Sequence, residues 1–319
     1  MPERFEFPVG ATSIGDCSGL IPVWVQDLND LNRVEAENIM NAQRKYLRGV
    51  VGDPKSWFQV KELKAIHQVM FGDVWEWAGV YRKSITSIGI NPSLIPTQLA
   101  ELCLEVSSWS QYPVELTILE MAARVHHRLV FIHPFENGNG RFSRLIADRF
   151  LLAFRCQYPI WPSLLNQEGV VRKDYIKTLK SADKGDYVPL VDFMKMLGAS
   201  DPNLSELIKN SFYRTYIQGE KGYAIVKALL RNGSNPNDET LNGHRVLQLA
   251  VKAGLNEIVK LLVTFGADID TKDKSGLTPF QMAVLQENIT LADFFLSKGA
   301  KKQPPIGVGY EKYYKLYRE

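Results

Sequence analysis

The hydrophobic positions of this chain recur mostly at the three- and four-residue spacing of α-helices. Between residues 115 and 130 they share one face of a predicted helix with a buried stripe: Ile118, Met121, Ala122, Val125 and Leu129. Similar patterns predict helices near residues 28–48, 59–70, 94–108, 139–154, 170–182 and 188–197. We therefore expect a mainly α protein.

One stretch departs from helical spacing. From Lys83 to Asn91 isoleucines alternate with serines and a threonine, and β-branched residues in this pattern favour strands. The stretch is bounded by Arg82 and by an Asn-Pro pair. The pattern predicts a small β-hairpin at about residues 82–91, which we call the flap.

A polar, glycine-rich segment follows the helix predicted at 115–130 and runs from His133 to Arg144. Gly138 and Gly140 allow a tight turn, and a second helix is expected to begin close to Asn139. Backbone N–H groups at a helix start lack intrahelical partners, and the helix dipole is positive there. The turn is therefore expected to bind an anion.

Three side chains of this segment suit a phosphate substrate. Arg141 and Arg144 lie three residues apart, as neighbours on a helix, and each can form paired hydrogen bonds with phosphate oxygens. A histidine at position 133, if its pKa is near the reference value of about 6.5, can accept a proton at neutral pH. The P-loop pattern is absent, so this would be a different phosphate site.

The segment resembles the active-site motif of the Fic family, His-x-Phe-x-[Asp/Glu]-Gly-Asn-Gly-Arg-x-x-Arg. The resemblance implies that His133 is the base that deprotonates a target hydroxyl and that Phe135 holds the loop in the core. It also implies which residues contact ATP: Gly138, Asn139 and Gly140 at the α- and β-phosphates, Arg141 at the β-phosphate and Arg144 at the γ-phosphate.

One residue departs from this pattern. The acidic position, which holds Mg²⁺ in the family, is Asn137, and the loop's carboxylate is Glu136, one position earlier. An amide oxygen can ligate a hard cation but brings no charge. We expect Mg²⁺, or Mn²⁺, to bind with ATP at Asn137 with lowered affinity, which leaves rate, metal preference and donor open.

The resemblance covers about residues 15–200, including His67 to Arg82, which is similar to the family's segment ahead of its flap. The branch called mobile mystery protein B, whose members also carry Asn at the acidic position, is the most similar. In the family the flap pairs with a strand of the target protein. The flap residues expected to dock the target are Ser84, Ile85, Thr86, Ser87 and Ile88.

The resemblance implies an enzyme that transfers AMP from ATP to a Ser, Thr or Tyr hydroxyl of a partner protein. The alternatives are phosphocholine, UMP or phosphate transfer by the same site, and a nucleotide-binding scaffold without catalysis. An inhibitory glutamate would fit Glu37, although the segment around it reads as an ordinary amphipathic helix. A separate antitoxin-like chain could equally inhibit the site.

The last third of the chain repeats with a period of 33 residues. Gly233, Gly266 and Gly299 are spaced by this period, as are Gly243 and Gly276. This period resembles that of ankyrin repeats, and so does the Thr-Pro pair two residues after Gly276. We expect a Fic domain at 1–200 with an N-terminal extension of about 30 residues, a linker at 201–206, ankyrin repeats at 207–303 that recruit the protein substrate, and a tail at 304–319.

Composition narrows the setting. The net charge of +3 over 319 residues favours neither nucleic acid nor an anionic membrane as a partner. Three cysteines, Cys17, Cys103 and Cys156, show no paired or metal-binding spacing, which fits a reducing compartment. Neither a signal peptide nor a membrane span is evident, so we expect a cytoplasmic protein, with export as a leaderless effector as the alternative.

Overall fold

The computed structural model describes residues 19–49, 51–109, 115–162, 165, 169–209, 219–240, 242–304, 311 and 315. These residues fall into two compact units. The first contains the described residues up to 201 except the short stretch 115–117, and the second contains that stretch and the residues after 201. The predicted N-terminal extension before residue 19, with Cys17, and most of the predicted tail lie outside the described residues.

The first unit is helical, as predicted. Its helices are α1 Leu28–Tyr46, α2 Pro54–Trp57, α3 Val60–Phe71, α4 Ile95–Trp109, α5 Ile118–Ile132, α6 Asn139–Ala153, α7 Val170–Ala182 and α8 Val188–Met196. Seven of these match the predicted helices to within about three residues, and α2 was not predicted. The largest shift is at the start of α5, which begins at Ile118 and not at residue 115.

Helices α5 and α6 pack against each other at the centre of the first unit. The apolar stripe predicted on α5 is buried, and so are the inward residues of α6. The loop that joins them contributes Phe135, whose ring lies edge-on to that of Phe142 with centroids 5.2 Å apart. Both rings are fully buried, so the Phe135 side chain anchors this loop in the core.

The predicted β-hairpin of the flap is not confirmed. Residues 82–91 are fully described and form bends without an assigned strand. Next to them Tyr81 forms an isolated antiparallel bridge with Phe135. The carbonyl groups of Ser84 and Ile90 accept hydrogen bonds from the Arg82 side chain. The two ends of the segment are therefore joined through this side chain, whereas a hairpin would join them by hydrogen bonds between backbone groups.

The second unit is a series of short helices: α9 Leu204–Lys209, α10 Gly219–Arg231, α11 Val246–Lys252, α12 Asn256–Thr264, α13 Pro279–Leu285 and α14 Ile289–Ser297. Helix α13 begins 33 residues after α11, and α14 begins 33 residues after α12, as the sequence repeat predicts. Gly233, Gly266 and Gly299 have φ angles of 88°, 92° and 90°, a left-handed conformation that glycine adopts without strain.

Side-chain hydrogen bonds repeat with the same period. The buried Gln248 donates to Thr271 O at 3.0 Å, and Gln281 donates to Pro304 O at 2.9 Å. Thr278 caps α13, because its Oγ1 accepts from Gln281 N at 3.3 Å. The 33-residue repeat therefore appears in side-chain hydrogen bonds as well as in helix positions. No helix in the described part of either unit has the length and apolarity needed to span a membrane.

Candidate active site

The glycine-rich turn begins helix α6 as predicted. Gly138 is the N-cap residue, with φ of 76°, and a Cβ at this position would lie 2.4 Å from Cζ of Phe71. Glycine is therefore required at 138 both by the backbone angle and by the approach to the ring. Asn139 and Gly140 form the first turn of α6, where the N–H groups have no partner within the helix.

The Asn139 side chain has a structural contact in addition to its place in the turn. Its Oδ1 accepts from Phe135 N at 2.9 Å, and its Nδ2 donates to Phe135 O at 2.8 Å. Asn139 is buried, so this pair of bonds fixes the loop from His133 to the helix start. Its backbone N–H, and not its amide side chain, is the group available to an anion.

His67 supports the same loop from below. Its ring stacks on Phe135 with centroids 3.7 Å apart and is fully buried. Its Nδ1 accepts from Gly79 N at 3.0 Å, so Nε2 carries the proton and donates to Asn137 O at 3.1 Å. Burial lowers the pKa of His67 to about 3, which keeps the ring neutral. The sequence placed His67 in the resembling segment but gave it no role.

His133 follows the last residue of α5 and has a φ of 52°, in the left-handed region. Its ring is 7% exposed, and Nδ1 lies 3.4 Å from Val130 O. If Nδ1 donates to that carbonyl, Nε2 is the basic nitrogen. Burial lowers the pKa of His133 to about 4, with the Arg82 charge acting in the same direction. This pKa lies below the reference value of about 6.5 and favours the neutral imidazole at neutral pH.

Arg141 forms a buried ion pair with helix α1. Its Nη1 donates to Glu35 Oε2 at 2.6 Å, and its guanidinium lies 4.9 Å from the centroid of the Phe71 ring. Glu35 is 4% exposed, and its other oxygen accepts from Trp75 Nε1 at 2.7 Å. The carboxylate of α1 that reaches the motif is thus Glu35, while Glu37 is exposed. An inhibitory role of Glu37, which the sequence offered only as a candidate, stays untested.

Arg144 lies about one turn further along α6, in a second buried group. Its Cζ is 5.9 Å from the centroid of the Trp161 ring, and Trp161 Nε1 donates to Asp148 at 2.8 Å. Burial raises the pKa of Asp148 to about 8, although Trp161 and the Arg144 charge oppose this rise. Tyr175 also contacts Arg144 and shares a 2.8 Å hydrogen bond with His126 Nε2. The two motif arginines therefore have different buried neighbours, Glu35 for Arg141 and Tyr175 for Arg144.

Asn137 offers little to a metal ion on its own. Its Oδ1 accepts from Gly138 N at 2.6 Å, and the neighbouring Glu136 accepts from Ser84 Oγ at 2.8 Å. Among the described residues, no group of three or more His, Cys, Asp or Glu side chains could hold a metal. The donor set fits an ion that arrives with nucleotide phosphates, and it does not fit a resident cation.

The flap lies against His133. Gly89 is so close that a Cβ there would be 2.5 Å from Cβ of His133. Ile85 is 84% exposed, and Thr86 Oγ1 donates to Ile88 O at 2.5 Å. The other docking residues named from the sequence, Ser84 and Ser87, are exposed as well. The structure thus brings the flap and the motif loop together, and Arg82, which sequence reasoning assigned only as a boundary, lies between them.

Comparison with known proteins bears on this site. The model of the Fic/DOC family matches residues 57–151, and the model of ankyrin repeats (3 copies) matches residues 216–305. A protein adenylyltransferase Fic from Aedes aegypti is 30% identical over 158 residues, which are 49% of this chain and 30% of that protein. One from Drosophila willistoni is 33% identical over 138 residues, 42% of this chain and 26% of that protein.

The chain thus spans about a third or less of the length of these curated relatives. Among solved structures, the BepC protein from Bartonella tribocorum with bound AMPPNP aligns with a TM-score of 0.44 and 18% identity, covering 56% of this chain and 90% of that one. Fic-1 (aa134–508) from C. elegans aligns with a TM-score of 0.43 and 21% identity, covering 55% and 50%.

Proposed function

Because this chain carries a Fic/DOC-family domain followed by ankyrin repeats, we propose that it transfers AMP from ATP to a Ser, Thr or Tyr hydroxyl of a partner protein. The observation that carries this proposal is the position of His133. The His133 imidazole, whose pKa is lowered by burial, lies in the loop that leads directly to the start of helix α6, where backbone N–H groups lack partners within the helix. A base next to a phosphate site is what hydroxyl attack on a phosphoric anhydride requires.

In this proposal His133 removes the proton from the target hydroxyl as its oxygen attacks the α-phosphorus of ATP. The bond between the α-phosphorus and the bridging oxygen breaks, and pyrophosphate leaves with the electron pair. The N–H groups of Gly138, Asn139 and Gly140 hold the α- and β-phosphates. The lowered pKa leaves His133 unprotonated at neutral pH but makes it a weaker base, so the attack depends on orientation.

The two arginines would bind the leaving group. Arg141 supports the β-phosphate with the donors that Glu35 does not use, and its side chain is 23% exposed. Arg144 would reach the γ-phosphate, and its side chain shares a hydrogen bond with Tyr175 that would orient the guanidinium. Mg²⁺ bound to the nucleotide would neutralise phosphate charge, with Asn137 as its ligand from this chain.

We further propose that the partner protein is held at two places. The flap residues Ser84 to Ile88 would dock the segment that carries the hydroxyl, and the exposed Ile85 supplies an apolar contact for it. The ankyrin repeats would recruit the rest of the partner, since repeats of this type present extended binding surfaces. Removal of the chain after residue 205 should then leave self-modification intact while labelling of the partner is lost.

A scaffold that binds a nucleotide without catalysis is the second candidate, and the observation that favours it is Asn137. The loop lacks the carboxylate of the family pattern, and Glu136, one position earlier, accepts a hydrogen bond from Ser84. The retained histidine at 133 argues for catalysis, because a binding scaffold needs no base. Assignment to the mobile mystery protein B branch stays a prediction.

The test of the proposed function uses ATP labelled at either the α- or the γ-phosphate, incubated with the full chain and a protein extract. AMP transfer puts the α-label on protein, depends on His133, and leaves the γ-label in pyrophosphate. Label from the γ-phosphate alone would mean phosphate transfer. Competition by CDP-choline or UTP would identify another donor, and no covalent label from any of them would favour the scaffold.

A further inference from the structure

Arg82 binds the end of helix α5 at three consecutive carbonyl groups. Its backbone N–H donates to Pro134 O at 3.0 Å, its Nε donates to His133 O at 2.6 Å, and its Nη2 lies 3.5 Å from Ile132 O. The residue is 3% exposed. A cation at a helix C-terminus satisfies carbonyl groups that have no partner in the helix and is favoured by the helix dipole.

The same guanidinium also closes the flap. Its Nη1 donates to Ser84 O at 2.8 Å, and its Nη2 donates to Ile90 O. One planar group therefore joins the two ends of the segment 84–90 to the carbonyl group of the base. Arginine carries five donors in a fixed fork, whereas a lysine ammonium is a single point with three donors and cannot span these acceptors.

The backbone that Arg82 holds is strained. His133 has a φ of 52°, which a residue other than glycine adopts at a cost. Gly89, with φ of 107°, lies against Cβ of His133, where no side chain would fit. The flap and His133 thus lie in direct contact, and Arg82 also joins them through hydrogen bonds.

We propose that Arg82 is a positioning residue that sets the register between the target-docking flap and the His133 base through its forked contacts with Ser84, Ile90 and His133. The inference rests on the proposed function, since it takes His133 as the base. Arg82 contacts no reacting atom in this account. It orients the group that does, and it fixes the distance between that group and the docked segment.

Two substitutions distinguish a role of the Arg82 positive charge from a role of its forked guanidinium geometry. If Arg82 mattered only through its positive charge, Arg82→Lys would restore what Arg82→Gln removes. If the fork is required, both variants should fail alike, because neither can reach both flap ends and the His133 carbonyl group. Arg33→Gln is the matched control, since it removes one arginine charge from an exposed position on α1.

The experiment measures three quantities in the full chain for each variant: turnover of protein labelling, ATP affinity, and amide hydrogen exchange in peptides covering residues 83–91 and 131–136. We expect both Arg82 variants to lose turnover by about tenfold to a hundredfold, as a misplaced base would cause. ATP affinity should stay within about twofold, because the phosphate turn is held by Asn139 and His67. Exchange should rise in those two peptides only, and Arg33→Gln should match the wild type.

Wild-type turnover and exchange in Arg82→Lys would overturn the proposal, and so would a parallel loss of ATP affinity, which would make Arg82 a general structural residue. Should Arg82→Gln fail to fold, Arg82→Lys carries the test, because it keeps the charge. If the wild-type chain transfers nothing, the proposed function fails. The exchange data then test by themselves whether Arg82 joins the flap to His133. A rise in amide exchange confined to the two peptides supports this, and no rise refutes it.

Discussion

Arg141 of the motif and Glu35 of helix α1 are 106 residues apart in sequence and form an ion pair with a 2.6 Å contact between Nη1 and Oε2. Glu35 is almost completely buried and Arg141 is partly so. The pair ties the start of helix α6 to a helix near the beginning of the first unit. A buried polar group needs hydrogen-bond partners, and the Trp75 N–H supplies the second one for Glu35.

Loss of this carboxylate should destabilise the first unit. We expect Glu35→Ala to lower the free energy of unfolding by about 2–4 kcal/mol, because it leaves Arg141 and the Trp75 N–H without their acceptor. Glu35→Gln should cost less, since an amide oxygen can still accept. The exposed Glu37→Gln should match the wild type. Equal effects of Glu35→Ala and Glu37→Gln would contradict the account.

Urea unfolding followed by tryptophan fluorescence measures this unit selectively. All six tryptophans precede residue 202: Trp24, Trp57, Trp75, Trp77, Trp109 and Trp161.

Two glycines of the motif provide a matched pair. Gly138→Ala places a Cβ 2.4 Å from the Phe71 ring at a φ of 76°, so we expect a loss of at least about 2 kcal/mol. Gly140→Ala has its nearest contact at 3.7 Å, from Arg144 Nη1, and lies in helix α6. It should be neutral or stabilising by up to about 1 kcal/mol. The same urea measurement decides, and a stable Gly138→Ala protein would refute the assigned turn.

Three buried histidines predict acid sensitivity of the first unit. The pKa values of His67 and His126 are lowered by burial to about 3 and that of His133 to about 4. The unfolded chain therefore binds more protons below pH 6.5, so stability is present above that pH and is lost as pH falls. Asp148 opposes this, since its pKa is raised to about 8 and the folded state gains stability on acidification.

Three histidines lose stability on acidification and one carboxyl group gains it, so the net effect of acid is a loss of stability. Between pH 6.5 and pH 5 the free energy of unfolding should fall by about 3 kcal/mol, as read from tryptophan fluorescence in urea. His244→Gln, a change in the second unit, should leave this dependence unaltered. Constant or rising stability over the same interval would contradict the neutral state of the buried imidazoles.

Asn137→Asp tests the departure from the family pattern. Asp keeps the oxygen that accepts from Gly138 N, so the loop should be preserved. It adds the negative charge that Asn lacks, and we expect tighter Mg²⁺ binding and faster transfer with Mg²⁺, by about tenfold. The measurement is the transfer rate as a function of Mg²⁺ concentration. A slower Asn137→Asp enzyme would mean that the neutral amide is specifically required.

Local pattern was enough to predict seven of the eight α-helices described in the first unit. The spacing of Ile118 to Leu129 encodes one buried face, and the repeated glycines at 233, 266 and 299 encode turns of fixed period. Both signals depend on neighbours along the chain. The flap misled the same reasoning, because alternation from Lys83 to Asn91 favours a strand locally, whereas the Arg82 side chain takes the carbonyl groups that a ladder would use.

The long-range contacts of the site could not be read from the sequence. Glu35 and Arg141, or His67 and Asn137, are brought together only by the packing of α1, α3 and α6. The pKa of His133 depends on burial, which a motif does not encode. The sequence therefore identified the residues of the candidate site but not the side chains that hold them.

The most direct test of the central claim is the intact mass of the purified chain after incubation with ATP and Mg²⁺ or Mn²⁺, measured beside His133→Ala and His244→Ala. The account predicts a gain equal to one or more AMP groups in the wild type and in His244→Ala, and none in His133→Ala, which should still bind ATP. The same gain in His133→Ala would contradict the role of His133 as the base.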